Sequence, residues 1–376
     1  MAADTRSGTR PRNFGLDLVR AGATMLVFVS HFGGFGSYLL GGAPPSWINI
    51  PGFFGVEAFF VLSGYLIGGL LLEIAETDPT PRSWLIFMIR RWMRTLPAYF
   101  AVLLAIYYLV PDQHLLRGFL LPYASLTQNL AWPIQGGPWF AVSWSLTIEE
   151  WFYLLFSAAF LLCAAIGGCR RLWLATGLFI LLPLIGRWWM PADIDWDEGV
   201  RKVALLRLDA IAYGVATVML LRERPTLLRH AKALLAAGLL LCVLAAALLG
   251  IDRFAVEGAA ARALIFSLTS TGVALCFPAL LGLSPGPRWW AATMRNLAQL
   301  SYGLYLVHFS ILLAFFYAWR DGKIAGALAL PLAIAATYVA ASLSFHCLEA
   351  PILARRPPQR RAAARRPELP RATADG

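Results

Sequence analysis

Three ionisable side chains stand inside the first apolar stretch of this chain: Asp17, Arg20 and His31. Charged groups are costly at membrane depth and there carry a functional reading by default. The eleven-residue step from Arg20 to His31 sweeps about 1100° of helix, three turns and about 20° more. The two therefore share a face, about 16 Å apart along the axis, with Asp17 and Thr24 near the same stripe. Imidazole suits proton transfer near neutral pH. It equally suits a hydrogen-bonded histidine inside a bundle, and Asp17 with Arg20 also reads as an ion pair at a helix end.

Further along, Ser145, Glu149 and Tyr153 recur at four-residue spacing and share one helical face, while Glu150 points about 100° away. Two adjacent carboxylates in an apolar run require a polar interior or a cationic neighbour. Arg207 with Asp209, the stripe Ser301, Tyr305 and His308, and His346 with Glu349 are each capable of being structural glue. Together they argue for a hydrophilic cavity. Glu57 is another carboxylate at membrane level, whereas Ser63 and Gly64 beside it suit close helix approach. Arg91 and Arg94 lie three apart in Arg90-Arg91-Trp92-Met93-Arg94. Guanidinium groups of that spacing clamp phosphates such as a nucleotide diphosphate, and they also make an ordinary basic cluster beside a membrane helix.

These residues must be positioned by elements that tolerate lipid. Of the 376 residues 59% are apolar and 14% charged, against about 45–50% and about 25% in soluble domains. This excludes an ordinary cytosolic enzyme, a disordered chain and a small disulfide scaffold. Apolar runs near 14–40, 53–73, 95–111, 138–162, 172–190, 203–221, 231–250, 259–283, 297–318 and 325–348 predict about ten membrane spans. Backbone polar groups must be paired inside lipid, so the spans are helical and the fold class is an all-α polytopic transmembrane bundle. The basic, apolar N-terminal stretch carries no evident cleavage site and reads as a retained first helix.

The net charge of +11 reads as topology rather than nucleic-acid binding, because Lys and Arg collect in cytoplasmic loops. With the N-terminus placed in the cytoplasm, the basic residues divide roughly 22 against 8 in favour of that side. An even number of spans then leaves both termini cytoplasmic. The expected organisation is a basic N-terminal tail over 1–13, a transmembrane domain over 14–353 and an Arg/Pro-rich, disordered tail over 354–376, read first as a solvated topogenic tail and second as a contact for anionic lipid headgroups. The cysteines Cys163, Cys169, Cys242, Cys276 and Cys347 have no metal-ligand spacing and read as packing residues.

Taken in order, these segments resemble the integral-membrane acyltransferase 3 family. The matching pieces are Leu16-Asp17-Leu18-Val19-Arg20 through His31, Phe59-Phe60-Val61-Leu62-Ser63-Gly64, Arg91-Trp92-Met93-Arg94 with Pro97, and Trp144-Ser145-Leu146-Thr147-Ile148-Glu149. They continue with Arg207-Leu208-Asp209-Ala210, Ser301 through His308, and Glu349-Ala350-Pro351. Glu57 stands where such proteins often carry Asp. The resemblance implies transfer of an acyl group, acetyl first, from acyl-CoA to a hydroxyl of a glycan or glycolipid, in a bacterial inner membrane. Small secondary metabolites are the alternative acceptors.

On that resemblance His31 is the general base, with a transient acyl carrier as the alternative role, and Glu149 is its orienting partner. Arg20, Arg91 and Arg94 hold the acetyl-CoA donor. Glu57, Ser63, Arg207, Asp209, Tyr305 and His308 are candidates for acceptor binding, and no metal is needed. The rival class is a secondary transporter or flippase, in which the intramembrane charges form a substrate or proton pathway. The paired broken helices of repeated halves that mark many transporters are not evident in the sequence.

Overall fold

The computed structural model describes residues 12–109, 120–134, 140–167, 169–250 and 258–358, and everything below refers to these. The basic residues assigned to 1–11, 110–119, 251–257 and 359–376, and most of the expected C-terminal tail, lie outside them.

The regular secondary structure of the described residues is entirely helical. Its helices are α1 (Phe14–Leu39), α2 (Asn49–Thr77), α3 (Pro81–Leu109), α4 (Leu120–Ala124), α5 (Ser143–Ala165) and α6 (Cys169–Trp188). They continue with α7 (Leu208–Glu223), α8 (Ala231–Gly250), α9 (Ala259–Leu281), α10 (Arg288–Arg320), α11 (Gly326–Leu343) and α12 (Ala350–Ala354). Nine helical stretches among the described residues are long and apolar enough to cross a membrane. The tenth expected span is α7, whose 16 residues rise only about 24 Å, short of the ~30 Å hydrocarbon layer.

Two helices run well past the expected span ends. The basic stretch Arg90–Pro97, expected between the second and third spans, lies within the continuous helix α3, with Pro97 in its interior. The window 81–94 is too charged to read as a span alone, yet its apolar side chains Phe87 and Met88 are fully buried against the bundle. Helix α10 likewise begins at Arg288, well before the expected 297.

Chain ends that the alternation of spans assigns to one side do meet. Asn13 caps α1 by accepting from the Leu16 amide at 3.2 Å, and its own amide donates to the Leu281 carbonyl at the end of α9 at 3.0 Å. Arg12 donates to the Arg295 carbonyl in α10, and Arg222 at the end of α7 pairs with Glu76 at the end of α2. At the opposite ends, the segment before α5 and the segment before α7 pair backbone to backbone, Ala204 N to Asn129 O at 2.8 Å and Leu205 N to Leu130 O at 3.0 Å. The Asn129 side chain ties this cap to the Lys202 and Trp144 carbonyls. Irregular backbone is tolerated at such depth only where protein supplies its hydrogen bonds.

Helix α2 is the axis of the bundle: it packs on α1, α5, α7 and α9. Small residues make this possible. A Cβ on Gly64 would fall 1.8 Å from the Ile211 carbonyl oxygen of α7, and one on Gly214 would fall 2.0 Å from the Val61 carbonyl oxygen of α2. The two backbones therefore touch directly, as small-residue membrane interfaces allow. Outward-facing Leu239, Leu240, Val243 and Leu244 of α8 and the exposed Trp189 and Trp289 at helix ends form a lipid face with aromatic margins.

Gly64→Ala is expected to lower the thermal unfolding midpoint of the purified protein markedly, by the overpacking cost of about 1–3 kcal/mol or more. Gly177→Ala on α6, where a Cβ meets nothing within 4 Å, is expected to be neutral or slightly stabilising. Equal melting temperatures for the two variants would contradict the direct α2–α7 contact.

Candidate active site

Near the middle of the bundle, α1, α2, α3, α5 and α10 surround an open cavity. It encloses about 840 Å³ of empty space, its open mouth included. Arg20, Arg91 and Arg94 line it together with Ser63, Thr95, Ser145, Glu149, Tyr153, Ser301, Tyr302 and Tyr305. Phe59, Phe60, Leu62, Leu66 and Leu146 supply its apolar wall. The shared helical faces expected for Ser145, Glu149 and Tyr153, and for Ser301 and Tyr305, are thus the faces turned to this space.

The polar groups of the wall are joined in short relays. Ser63 Oγ and Tyr153 Oη are 2.6 Å apart, and the Glu149 carboxylate lies beside both hydroxyls. Thr95 Oγ1 donates to Glu150 Oε1 at 2.5 Å, and Tyr302 Oη donates to the Thr95 carbonyl at 2.6 Å. Ser145 Oγ and Tyr305 Oη are 2.7 Å apart. Two buried atoms in this region have no partner: Glu150 Oε2 and Arg91 Nε. No carboxylate forms an ion pair with Arg20, Arg91 or Arg94 among the described residues. Asp17 pairs with Arg12 at 2.7 Å rather than with Arg20.

His31 sits one layer beyond this wall and bonds not to Glu149 but to His308 of α10. The distance from His31 Nδ1 to His308 Nε2 is 2.8 Å, and the rings are stacked with centroids 5.0 Å apart. His308 Nδ1 lies 2.7 Å from the Tyr305 carbonyl oxygen. A carbonyl only accepts, so His308 carries its proton on Nδ1, and its Nε2 is an acceptor. His31 must then donate from Nδ1, which leaves the Nε2 lone pair of His31 uncommitted. Phe28 and Phe309 flank the pair at ring separations near 5.1 Å. Tyr305 joins the two regions: its side chain lines the cavity, and its backbone oxygen orients His308.

Glu57, Arg207 and Asp209 lie elsewhere. Arg207 donates to Glu57, Ser270 Oγ donates to Glu57 Oε2 at 3.0 Å, and Arg187 Nη2 donates to Asp209 Oδ2 at 2.7 Å. Arg207 Nε faces Asp209 Oδ1 at 4.0 Å. Its guanidinium lies 3.8 Å from the Phe266 ring centroid, with Arg187 5.1 Å from the same ring. Arg207 and Asp209 are 0% exposed and Glu57 1%, and none of the four charged groups lines the cavity. Arg187, close to the end of the expected span 172–190, carries no local signal in the sequence for this place. Its buried guanidinium also holds the Ala263 and Leu206 carbonyls.

On the side where α6 and α7 are joined, the turn Asp197–Arg201 folds Arg201 and Lys202 back onto Asp197 and Glu198. Arg201 lies 4.7 Å from the Trp144 ring centroid. Burial raises the Asp197 pKa, but the Arg201 and Lys202 charges and hydrogen bonds outweigh it and hold the carboxyl at about 2, below its ordinary 3.8. A depressed carboxylate stabilises fully above its unfolded value and loses that contribution as pH falls through about 2. This turn is therefore insensitive to pH between 5 and 8.

A helical membrane bundle with a polar, arginine-lined cavity beside a histidine pair has the build of a membrane-embedded enzyme. The model of the acyltransferase 3 family, described as an acyltransferase domain, matches residues 13–346, so the chain belongs to that family and is a membrane-bound acyltransferase. No curated protein and no solved structure matches the chain.

Arg207→Leu strips a buried carboxylate of its partner, a loss of about 3–5 kcal/mol. We expect it to cut the yield of folded protein in size-exclusion chromatography. Ser63→Ala, which removes one cavity hydroxyl, is expected to leave that yield unchanged. A well-folded Arg207→Leu protein that fails only in acceptor binding would instead return Arg207 to the acceptor site.

Proposed function

We propose that this acyltransferase takes an acyl group, acetyl first, from acyl-CoA and transfers it to a hydroxyl of a glycan or glycolipid. The observation that carries the reading is the cavity itself, with three arginines that have no acidic partner at one part of its wall and Tyr305, beside the histidine pair, at another. Guanidinium groups without carboxylates, gathered where an elongated ligand can enter, suit phosphates. Arg91 and Arg94, one helical turn apart, grip the diphosphate of the donor, and Arg20 faces the same charge. The pantetheine arm then runs along the wall of Ser63, Tyr153 and Glu149, whose hydroxyls and carboxylate meet its amides. The acyl end reaches His31 past the Tyr305 ring.

His31 Nε2 takes the proton of the acceptor hydroxyl as that oxygen attacks the thioester carbon. The C–S bond breaks as the tetrahedral centre collapses, and the leaving thiolate takes the proton from His31. His308 holds the His31 tautomer, and its Nε2 lone pair receives the hydrogen bond that strengthens when His31 becomes cationic. Both termini face the cytoplasm, the donor enters there, and the acceptor meets His31 from the opposite side near Asp197 and Glu198. Those carboxylates are about 40% exposed and offer acceptors to sugar hydroxyls. Glu57, Arg207 and Asp209 act in this scheme as the structural tie between α2 and α7.

The test is transfer of label from acetyl-CoA to a lipid-linked glycan by protein reconstituted in nanodiscs. His31→Ala is expected to lose at least about a hundredfold in rate, the scale of general-base catalysis, with unchanged melting. His308→Gln, which can still offer an oxygen to His31 Nδ1–H, is expected to retain more activity than His308→Leu, and the two are expected to differ in the pH at which rate is half-maximal. Normal acetylation by His31→Ala would overturn the assignment. Labelled acetyl-CoA left untouched by every acceptor tried, while a short-chain acyl-CoA is consumed, would correct the acyl group.

A further inference from the structure

The segment after the last membrane helix returns to the arginine cluster. Helix α12 ends at Ala354, and Arg90 of α3 donates to the Pro357 carbonyl, which pins the segment against α3. Arg356 is thereby held so close to Arg90, Arg91 and Arg94 that their charges, after burial, draw its pKa down to about 10. Its Nε and Nη2 are both buried without a hydrogen-bond partner among the described residues. The nearest carboxylate in sequence, Glu349, is occupied by Ser344 Oγ at 3.1 Å. No ion pair is formed by Arg356 among the described residues. A half-buried, protonated guanidinium packed among like charges, with two buried and idle donors, is unfavourable unless an anion completes it.

Position separates Arg356 from the other arginines. Arg20, Arg91 and Arg94 line the cavity, and Arg356 does not. On the donor reading given above, the phosphates attached to the entering arm belong to the cavity-lining arginines. The part of the ligand beyond them, the ribose with its 3′-phosphate, stays outside. We propose that Arg356 binds a phosphomonoester at the cavity mouth, namely the 3′-phosphate of coenzyme A, so that the chain following the last helix forms part of the donor site. The same chemistry is offered by an anionic lipid headgroup, and the experiment separates the two.

Dissociation constants are measured for coenzyme A and for dephospho-coenzyme A, which lacks only the 3′-phosphate. The full-length protein is held in nanodiscs of phosphatidylcholine alone or with phosphatidylglycerol. A charge-assisted hydrogen bond corresponds to about ten- to a hundredfold in affinity, so the unaltered protein is expected to bind coenzyme A that much more tightly than the dephospho form. Arg356→Gln is expected to erase this preference by weakening coenzyme A alone, and Arg91→Gln to weaken both ligands. Equal weakening of both by Arg356→Gln, or no change in either, overturns the proposal while leaving the donor reading intact. A loss confined to the phosphatidylglycerol effect assigns Arg356 to lipid and overturns it too. Failure of the unaltered protein to bind coenzyme A in either lipid overturns the donor reading itself, and the Arg356 proposal with it.

Discussion

A guanidinium withdrawn from water must find negative charge, and in a bundle bounded by lipid that requirement governs which helices stay together. Arg187 and Arg207 meet it internally: with Glu57 and Asp209 they form a balanced set of two cations and two anions around Phe266. The set joins α2, α6 and α7, and Ser270 adds α9. It explains how α7, too short to span the hydrocarbon alone, keeps its irregular entrance, since each charge there faces an opposite charge, although Arg207 Nε and Asp209 Oδ1 approach only to 4.0 Å without a hydrogen bond. Arg20, Arg91 and Arg94 meet the requirement in no such way, and they are the ones that face open space. The same residue type thus divides by environment into a closed, neutral tie and an open, positive wall.

The histidine pair follows the same economy. A carboxylate beside His31 would have to be desolvated and would place a fixed charge within a ring of Phe28, Phe32 and Phe309. A second imidazole, held by the Tyr305 carbonyl, fixes the tautomer with no net charge at rest. Such an arrangement accepts a proton without first having to release an ion pair.

Much of the architecture was legible because hydrophobic length is a strong signal in membranes. The span expected at 231–250 coincides with α8, and those expected at 14–40 and 259–283 end within two residues of α1 and α9. Helical faces were legible as well: four-residue spacing placed Ser145, Glu149 and Tyr153 together, and all three line the cavity. Pairings between helices were not. His31 and His308 are 277 residues apart, and Glu57 and Arg207 are 150, so no local period tells which distant group meets which. The resemblance implies Glu149 as the partner of His31; the ring that reaches His31 comes from another helix. Arg187 and Arg356 were hidden differently. Each sits near a helix end, where a basic residue is ordinarily explained by topology.

The eleven-residue step from Arg20 to His31 acts as a ruler cut into a single unbroken helix. Inserting one residue here would swing the imidazole about 100° away from His308. Adding seven would restore its direction and displace it by about 10 Å. Length variation among natural versions of this chain should therefore spare this interval, even where the residues that fill it drift.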